Sequence, residues 1–130
     1  MPSLHLAILY GSVCEARAGI RLVQFLDAAL RRRGHEISVV DAAEHRLPLL
    51  DRMYKEYARG TAPPVLERLA ELYRRVDSFA FVSGEYNHGI PPALKYLLDH
   101  FLEEYFSGPP PSFAIRRDNS AASVPRCSCA

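Results

Sequence analysis

Apolar residues fall into short runs separated by polar, glycine- and proline-bearing stretches, and the period of each run names an element. Leu4 to Tyr10 is a continuous apolar run that stops at Gly11-Ser12, which predicts a short buried strand. From about Gly19 to Arg33 the period changes: Ile20, Val23, Leu26 and Leu30 recur at helical spacing. Gly34 then follows three arginines, a C-terminal stop with cations at the negative helix end. Ile37 to Asp41 is a second β-branched run, and a long proline-broken connection follows it. Between Pro64 and Val76, Val65, Leu69, Leu72, Tyr73 and Val76 mark one helical face. Ser78 to Ser83 reads as a third strand. Pro91-Pro92 can open a helix because first-turn amides need no partner, and Leu94, Leu97, Leu98, Phe101, Leu102 and Tyr105 form its apolar stripe. The order βαβαβα up to Phe106 predicts a doubly wound α/β fold: a parallel sheet, helices on both faces, right-handed crossovers.

Composition narrows the function classes. A chain of 130 residues suits one domain and one core. With 16 basic and 15 acidic residues the net charge is only +1, so no strong field exists to hold nucleic acid or an anionic membrane, and neither is expected as a partner. The first apolar run is short, contains His5 and lacks a basic leader, and no stretch approaches a membrane span, so a cytoplasmic protein is expected. Cys14, Cys127 and Cys129 are odd in number, which argues against a disulfide framework; an inert Cys14 thiol is the expectation.

In doubly wound sheets ligands bind beyond the carboxyl ends of the strands. Two loops reach that edge. The first is "GSVCEARAG", residues 11 to 19, whose amides and following helix N-terminus favour a phosphate, with Arg17 able to add a forked charge. It lacks the lysine of a P-loop and the three glycines of a dinucleotide fingerprint, so a plain strand-to-helix turn explains it equally well. The second is "GEYNHGIPP", residues 84 to 92. Tyr86 offers a flat face, Asn87 a donor and acceptor, and a rigid turn can present backbone N–H groups to a heterocycle. A helix entry with Tyr86 packed into the core is the competing account. The five histidines show no metal-ligand spacing, and Ser12 sits in no nucleophile elbow.

Together these residues resemble the NADPH-dependent FMN reductase family, a branch of the flavodoxin-like fold. That family's first loop commonly begins Gly-Ser-x-Arg, here "GSVCEAR". Its second loop typically reads Pro-Glu-Tyr-Asn-x-x-x-Pro-x-x-Leu-Lys, here "GEYNHGIPPALK" at 84 to 95. The likeness spans residues 4 to 106 and includes "LPLLD" at 47 to 51, a loop near the flavin in such proteins. It implies an FMN-dependent NAD(P)H oxidoreductase with FMN and NADPH or NADH as cofactors and free flavin, a quinone or a similar small molecule as acceptor. Gly11, Ser12, Val13 and Arg17 would hold the phosphate, and Glu85, Tyr86, Asn87 and His88 would line the isoalloxazine. A homodimer or homotetramer is implied, with Tyr96, His100 and Phe101 as interface candidates. Cys14 in place of the common arginine and Gly84 in place of proline both predict weaker FMN binding.

The likeness assigns residues 1 to 106 to an incomplete flavodoxin-like domain with strand order 2-1-3 and room for a short fourth strand near 112 to 115. Residues 107 to 130 form an aberrant tail without apolar periodicity, expected to be disordered. Family members continue instead with a fourth strand and a segment like Gly-x-Phe-Gly-Gly-Val-Arg-Ala-Ala. "NSAASVPRCSCA", back-translated with GC-rich codons and read from the third base of the Asn119 codon, gives Phe-Gly-Gly-Val-Arg-Ala-Ala-Met-Gln-Leu-Arg. The same frame allows Ala-Ile-Val from "PPSF" at 110 to 113. The tail therefore reads as a frameshift product. This leaves three accounts open: the oxidoreductase, a truncated non-catalytic fragment with poor FMN binding that acts at most as an interaction module, and a phosphate-binding regulatory domain.

Overall fold

The structure, a computed structural model, describes residues 2–105 and the strand 114–117. β1 (His5–Tyr10), β2 (Glu36–Asp41), β3 (Ser78–Ser83) and β4 (Ala114–Arg117) form one sheet in the order β2-β1-β3-β4. All three pairings are parallel. The order 2-1-3 read from the sequence is thus present. The fourth strand falls at 114–117 rather than 112–115, pairing Ala80 with Ala114 through Ser83 with Arg117. β3 accordingly has a neighbour over part of its length, where a bare edge was expected. The rest of the expected disordered tail lies outside the described residues.

Helices α1 (Ile20–Arg32), α2 (Pro64–Arg75) and α3 (Pro92–Asp99) occupy the connections. Alternation along each strand sends residues to two cores. Ile8, Tyr10, Ile37 and Val82 face Val23 of α1. Ala7, Leu9, Val40, Phe79 and Phe81 face Leu66, Leu69, Ala70 and Tyr73 of α2 and Leu94 and Leu97 of α3. This second side holds the aromatic cluster, in which Tyr73 meets Phe101 at 4.9 Å, Phe79 at 5.5 Å and Tyr105 at 5.4 Å between centroids. Offset and edge-on ring pairs of this kind add stabilisation beyond area burial.

α1 ends as its sequence requires. Gly34 adopts φ 86°, its N–H donates to the Arg31 carbonyl and that of His35 donates to Leu30, a Schellman closure. α3 ends earlier than its apolar period. The helix stops at Asp99 and a 3-10 turn follows at Glu103–Tyr105, so the stripe from Leu94 to Tyr105 belongs to two elements. The Tyr105 hydroxyl donates back to the Leu97 carbonyl at 2.9 Å, meeting a terminal helix acceptor with a side chain. The His100 carbonyl accepts from the Tyr54 N–H at 2.7 Å, which ties the long connection to this corner. His100 and Phe101 are buried within the chain, 1 % and 3 % exposed, so of the three interface candidates only Tyr96 keeps exposed surface. Among the described residues, no helix is long and apolar enough to cross a membrane.

Candidate functional site

The first loop leaves β1 at Gly11, whose N–H donates to the Val82 carbonyl at 3.2 Å and so extends the sheet by one bond. A Cβ at Gly11 would lie 2.2 Å from that of Leu94, so only glycine lets the loop pass over the first turn of α3. At the loop's other end Gly19 precedes α1, and a Cβ there would meet the Tyr10 ring at 3.0 Å. Between these close approaches the amides of Ser12, Val13, Glu15, Ala16 and Arg17 donate no hydrogen bond among the described residues. Unused N–H groups ahead of a helix N-terminus are the physical requirement for holding a phosphate. In this respect the loop fits an FMN phosphate.

Arg17 does not point freely into that loop. Its Nη1 donates to both carboxylate oxygens of Asp41 at 2.6 Å, with the Ser12 carbonyl at 3.4 Å. The guanidinium stands over the Tyr10 ring, 5.4 Å from its centroid. Asp41 ends β2 opposite Tyr10 in the sheet register, and its Oδ1 also accepts from the Ala43 N–H. Hydrogen bonding to Asp41 pushes the Arg17 pKa above its ordinary value. Tyr10 is 1 % exposed, its hydroxyl has no hydrogen-bond partner among the described residues, and burial pushes its phenol pKa up. Asp41 and Tyr10 were missed in the sequence. The available signal was an acid closing the strand that neighbours β1.

The second loop is a tight turn. Tyr86 N–H donates to the Gly89 carbonyl at 3.0 Å and Gly89 N–H donates back to Tyr86 at 2.9 Å. The two central residues, Asn87 at φ 49° and His88 at φ 63°, both lie in the left-handed region, the signature of a type I′ turn. Asn and His are among the non-glycine residues that visit this region most often, and each carries a modest backbone strain there. Glu85 and His88 pair with each other at 3.0 Å, His88 being 97 % exposed.

Tyr86 joins the two loops. Its hydroxyl lies 2.9 Å from Cys14 Sγ and 3.4 Å from Ser12 Oγ. This hydrogen bond between the Tyr86 hydroxyl and the Cys14 sulfur is the direct link between the two loops. Of the predicted residues, then, Ser12 and Tyr86 meet, Arg17 turns to Asp41, Glu85 and His88 meet each other, Gly11 packs on Leu94, and Val13 and Asn87 stay exposed. A separate cavity of about 430 Å³, lined by residues that include Tyr54, Glu67, Arg74 and Glu104, shares none of them.

This convergence of a glycine-bracketed first loop with a Glu-Tyr-Asn turn is where the chain can be compared with known proteins. The model of the NADPH-dependent FMN reductase family matches residues 4–114. The chain belongs to this family. Among solved structures, the chain is similar in fold to an NAD(P)H:quinone oxidoreductase from Methanothermobacter marburgensis, with 21 % identity and TM-score 0.61 over 76 % of this chain and 53 % of that one. Smu.1420 from Streptococcus mutans UA159 gives 21 % identity and TM-score 0.60 over 75 % and 52 %. FerB, a flavoenzyme NAD(P)H:(acceptor) oxidoreductase from Paracoccus denitrificans, gives 20 % and 0.56 over 75 % and 50 %. These likenesses establish the flavodoxin-like fold, and the chain spans about half the length of the structures it matches. No curated protein gave a match.

Proposed function

We propose that this chain carries the flavin-holding half of an FMN-dependent NAD(P)H oxidoreductase. The observation that carries this reading is the meeting of the two loops: idle amides at Ser12, Val13, Glu15, Ala16 and Arg17 on one side, and on the other a fixed turn whose Tyr86 hydroxyl reaches the first loop at Cys14. Gly11, Ser12, Val13 and the neighbouring N–H groups would hold the phosphate, with Arg17 behind them. Glu85, Tyr86, Asn87 and His88 would border the isoalloxazine, where the exposed turn tip presents amide donors to a ring edge. The redox chemistry would come from the flavin itself, between NADPH or NADH and a small-molecule acceptor such as free flavin or a quinone. The chain's own task is to bind, orient and shield. A homodimer or homotetramer is part of this proposal, as is a cytoplasmic setting.

Incubation of the purified chain with FMN followed by desalting tests the reading. A retained flavin spectrum that bleaches anaerobically with NADPH is the expected outcome, and a protein that remains folded while retaining no flavin would sink it. A second reading, a non-catalytic chain with poor FMN retention, is favoured by Cys14 and Gly84 in place of arginine and proline. In that reading residues 107 to 130 are an altered reading of the gene. Sequencing the coding DNA decides it: codons incompatible with the shifted frame remove this explanation of the tail.

A further inference from the structure

The first loop contains a single cation, Arg17, and the structure shows where its charge goes. Asp41, whose side chain is 7 % exposed, lies 2.6 Å from it, while the Arg17 side chain is 25 % exposed. A buried carboxylate therefore stands directly behind the place where an anion would be held. Glu15 adds a further negative charge to the same loop. What the loop offers an anion is then its unused N–H groups and the Ser12 hydroxyl, with no net positive charge from side chains.

We propose that Asp41 is a specificity-determining residue: by neutralising Arg17 it keeps the phosphate's contribution to flavin affinity small, so the site discriminates weakly between FMN and riboflavin. The proposal rests on the reading of the first loop as a flavin-phosphate site. It goes beyond that reading by assigning the phosphate's contribution to a residue outside both loops. The physical basis is Coulombic. Two charges within a Debye length interact appreciably even at a wet surface, and the Arg17–Asp41 pair presents an approaching dianion with attraction and repulsion together. The arrangement also fixes Arg17, because Nη1 is held by both Asp41 oxygens and stacked on Tyr10, so the guanidinium cannot swing to the phosphate without breaking a partly buried ion pair.

The test compares wild type, Asp41→Asn and the charge-conserving double variant Asp41→Asn/Arg17→Gln. Dissociation constants for FMN and riboflavin are measured by flavin fluorescence, and inorganic phosphate is titrated against the first-loop amides by NMR. In Asp41→Asn the side-chain amide oxygen can still accept from Arg17 and from the Ala43 N–H, so the loop keeps its supports. Asp41→Asn is expected to tighten FMN and inorganic phosphate by roughly 3- to 10-fold, the scale of one unit charge removed near a phosphate, and to leave riboflavin unchanged. The double variant is expected to restore the wild-type FMN-to-riboflavin ratio within about twofold. Three results overturn the proposal: FMN and riboflavin shifting in parallel, phosphate affinity equal in wild type and Asp41→Asn, including no binding to either, or a double variant that loses most of its FMN preference. The last would show Arg17 clamping the phosphate directly, and it is readable even if Asp41→Asn alone fails to fold. If neither flavin binds but inorganic phosphate tightens in Asp41→Asn, the charge assignment stands and the flavin reading falls. If both flavins bind and the ratio does not move, the reverse holds.

Discussion

The two loops at the carboxyl edge are rigid for opposite reasons. The first, residues 11 to 19, has no regular structure of its own and is held by what surrounds it: Leu94 against Gly11, Tyr10 beneath Gly19, Asp41 on Arg17. The second, centred on Asn87-His88, closes on itself through two backbone bonds between Tyr86 and Gly89 and carries its own strain. A loop fixed from outside depends on the integrity of the core beneath it, whereas a loop fixed from inside keeps its shape when its surroundings change. Substitutions can separate the two.

The largest effect is expected at the glycines. Gly11→Ala drives a methyl against the Leu94 side chain, and overpacking of this kind costs about 3 kcal/mol. Gly84→Ala meets only the edge of Tyr86 at 3.9 Å, ordinary contact, and by restricting the unfolded chain should be neutral or stabilising by up to about 1 kcal/mol. Chemical denaturation of both variants checks the contrast, and equal losses would remove it. Tyr86→Phe breaks the link between the loops. A loss of about 1 kcal/mol is expected, with faster amide exchange in residues 12 to 16 and unchanged exchange at Gly89.

Tyr10→Phe probes the support under the first loop. The hydroxyl is buried without a partner among the described residues, so its removal should change stability at neutral pH by less than about 1 kcal/mol. Because burial raises the folded-state pKa above the unfolded value of about 10, the Tyr10 contribution is complete below that pH and is lost as pH climbs through the folded value. The variant should show a shallower alkaline loss of stability, and an unchanged slope would dissociate Tyr10 from it. The smallest effect belongs to His88→Gly. Relief of left-handed strain worth about 1 kcal/mol is offset by the entropy of glycine, so a net change under about 0.5 kcal/mol is expected in a thermal melt, with the exposed Glu85 pair contributing little.

What was legible in the sequence was whatever depends on local pattern. Three strands follow from apolar runs, the end of α1 from Gly34, and the start of α3 from its prolines. The end of α3 was not legible, because Phe101 and Tyr105 stay in the core whether the backbone continues as helix or changes to a 3-10 turn. The apolar period cannot tell these apart. Both loops were located correctly from their composition. The partner of Arg17 was not, since nothing local joins residue 17 to residue 41 and the one hint was an acid at the end of the second strand; the pairing exists because β2 lies beside β1 and sets Asp41 opposite Tyr10. Nor does a histidine announce a left-handed backbone, which is forced on His88 by the bonds closing the turn around it.

The position of β1 in the middle of the sheet has a kinetic consequence. Leu6 must find Ile37 on one side and Ser78 on the other, so the central strand has one neighbour early in synthesis and lacks the second until β3 emerges. Pairings of such separation close slowly, and during that interval the apolar row from Leu6 to Tyr10 is a sticky, half-matched edge. Folding of this chain on the ribosome should therefore be limited by the arrival of β3, and α2, which joins Asp41 to Ser78 by way of its buried face, is the segment whose early helicity would shorten the wait.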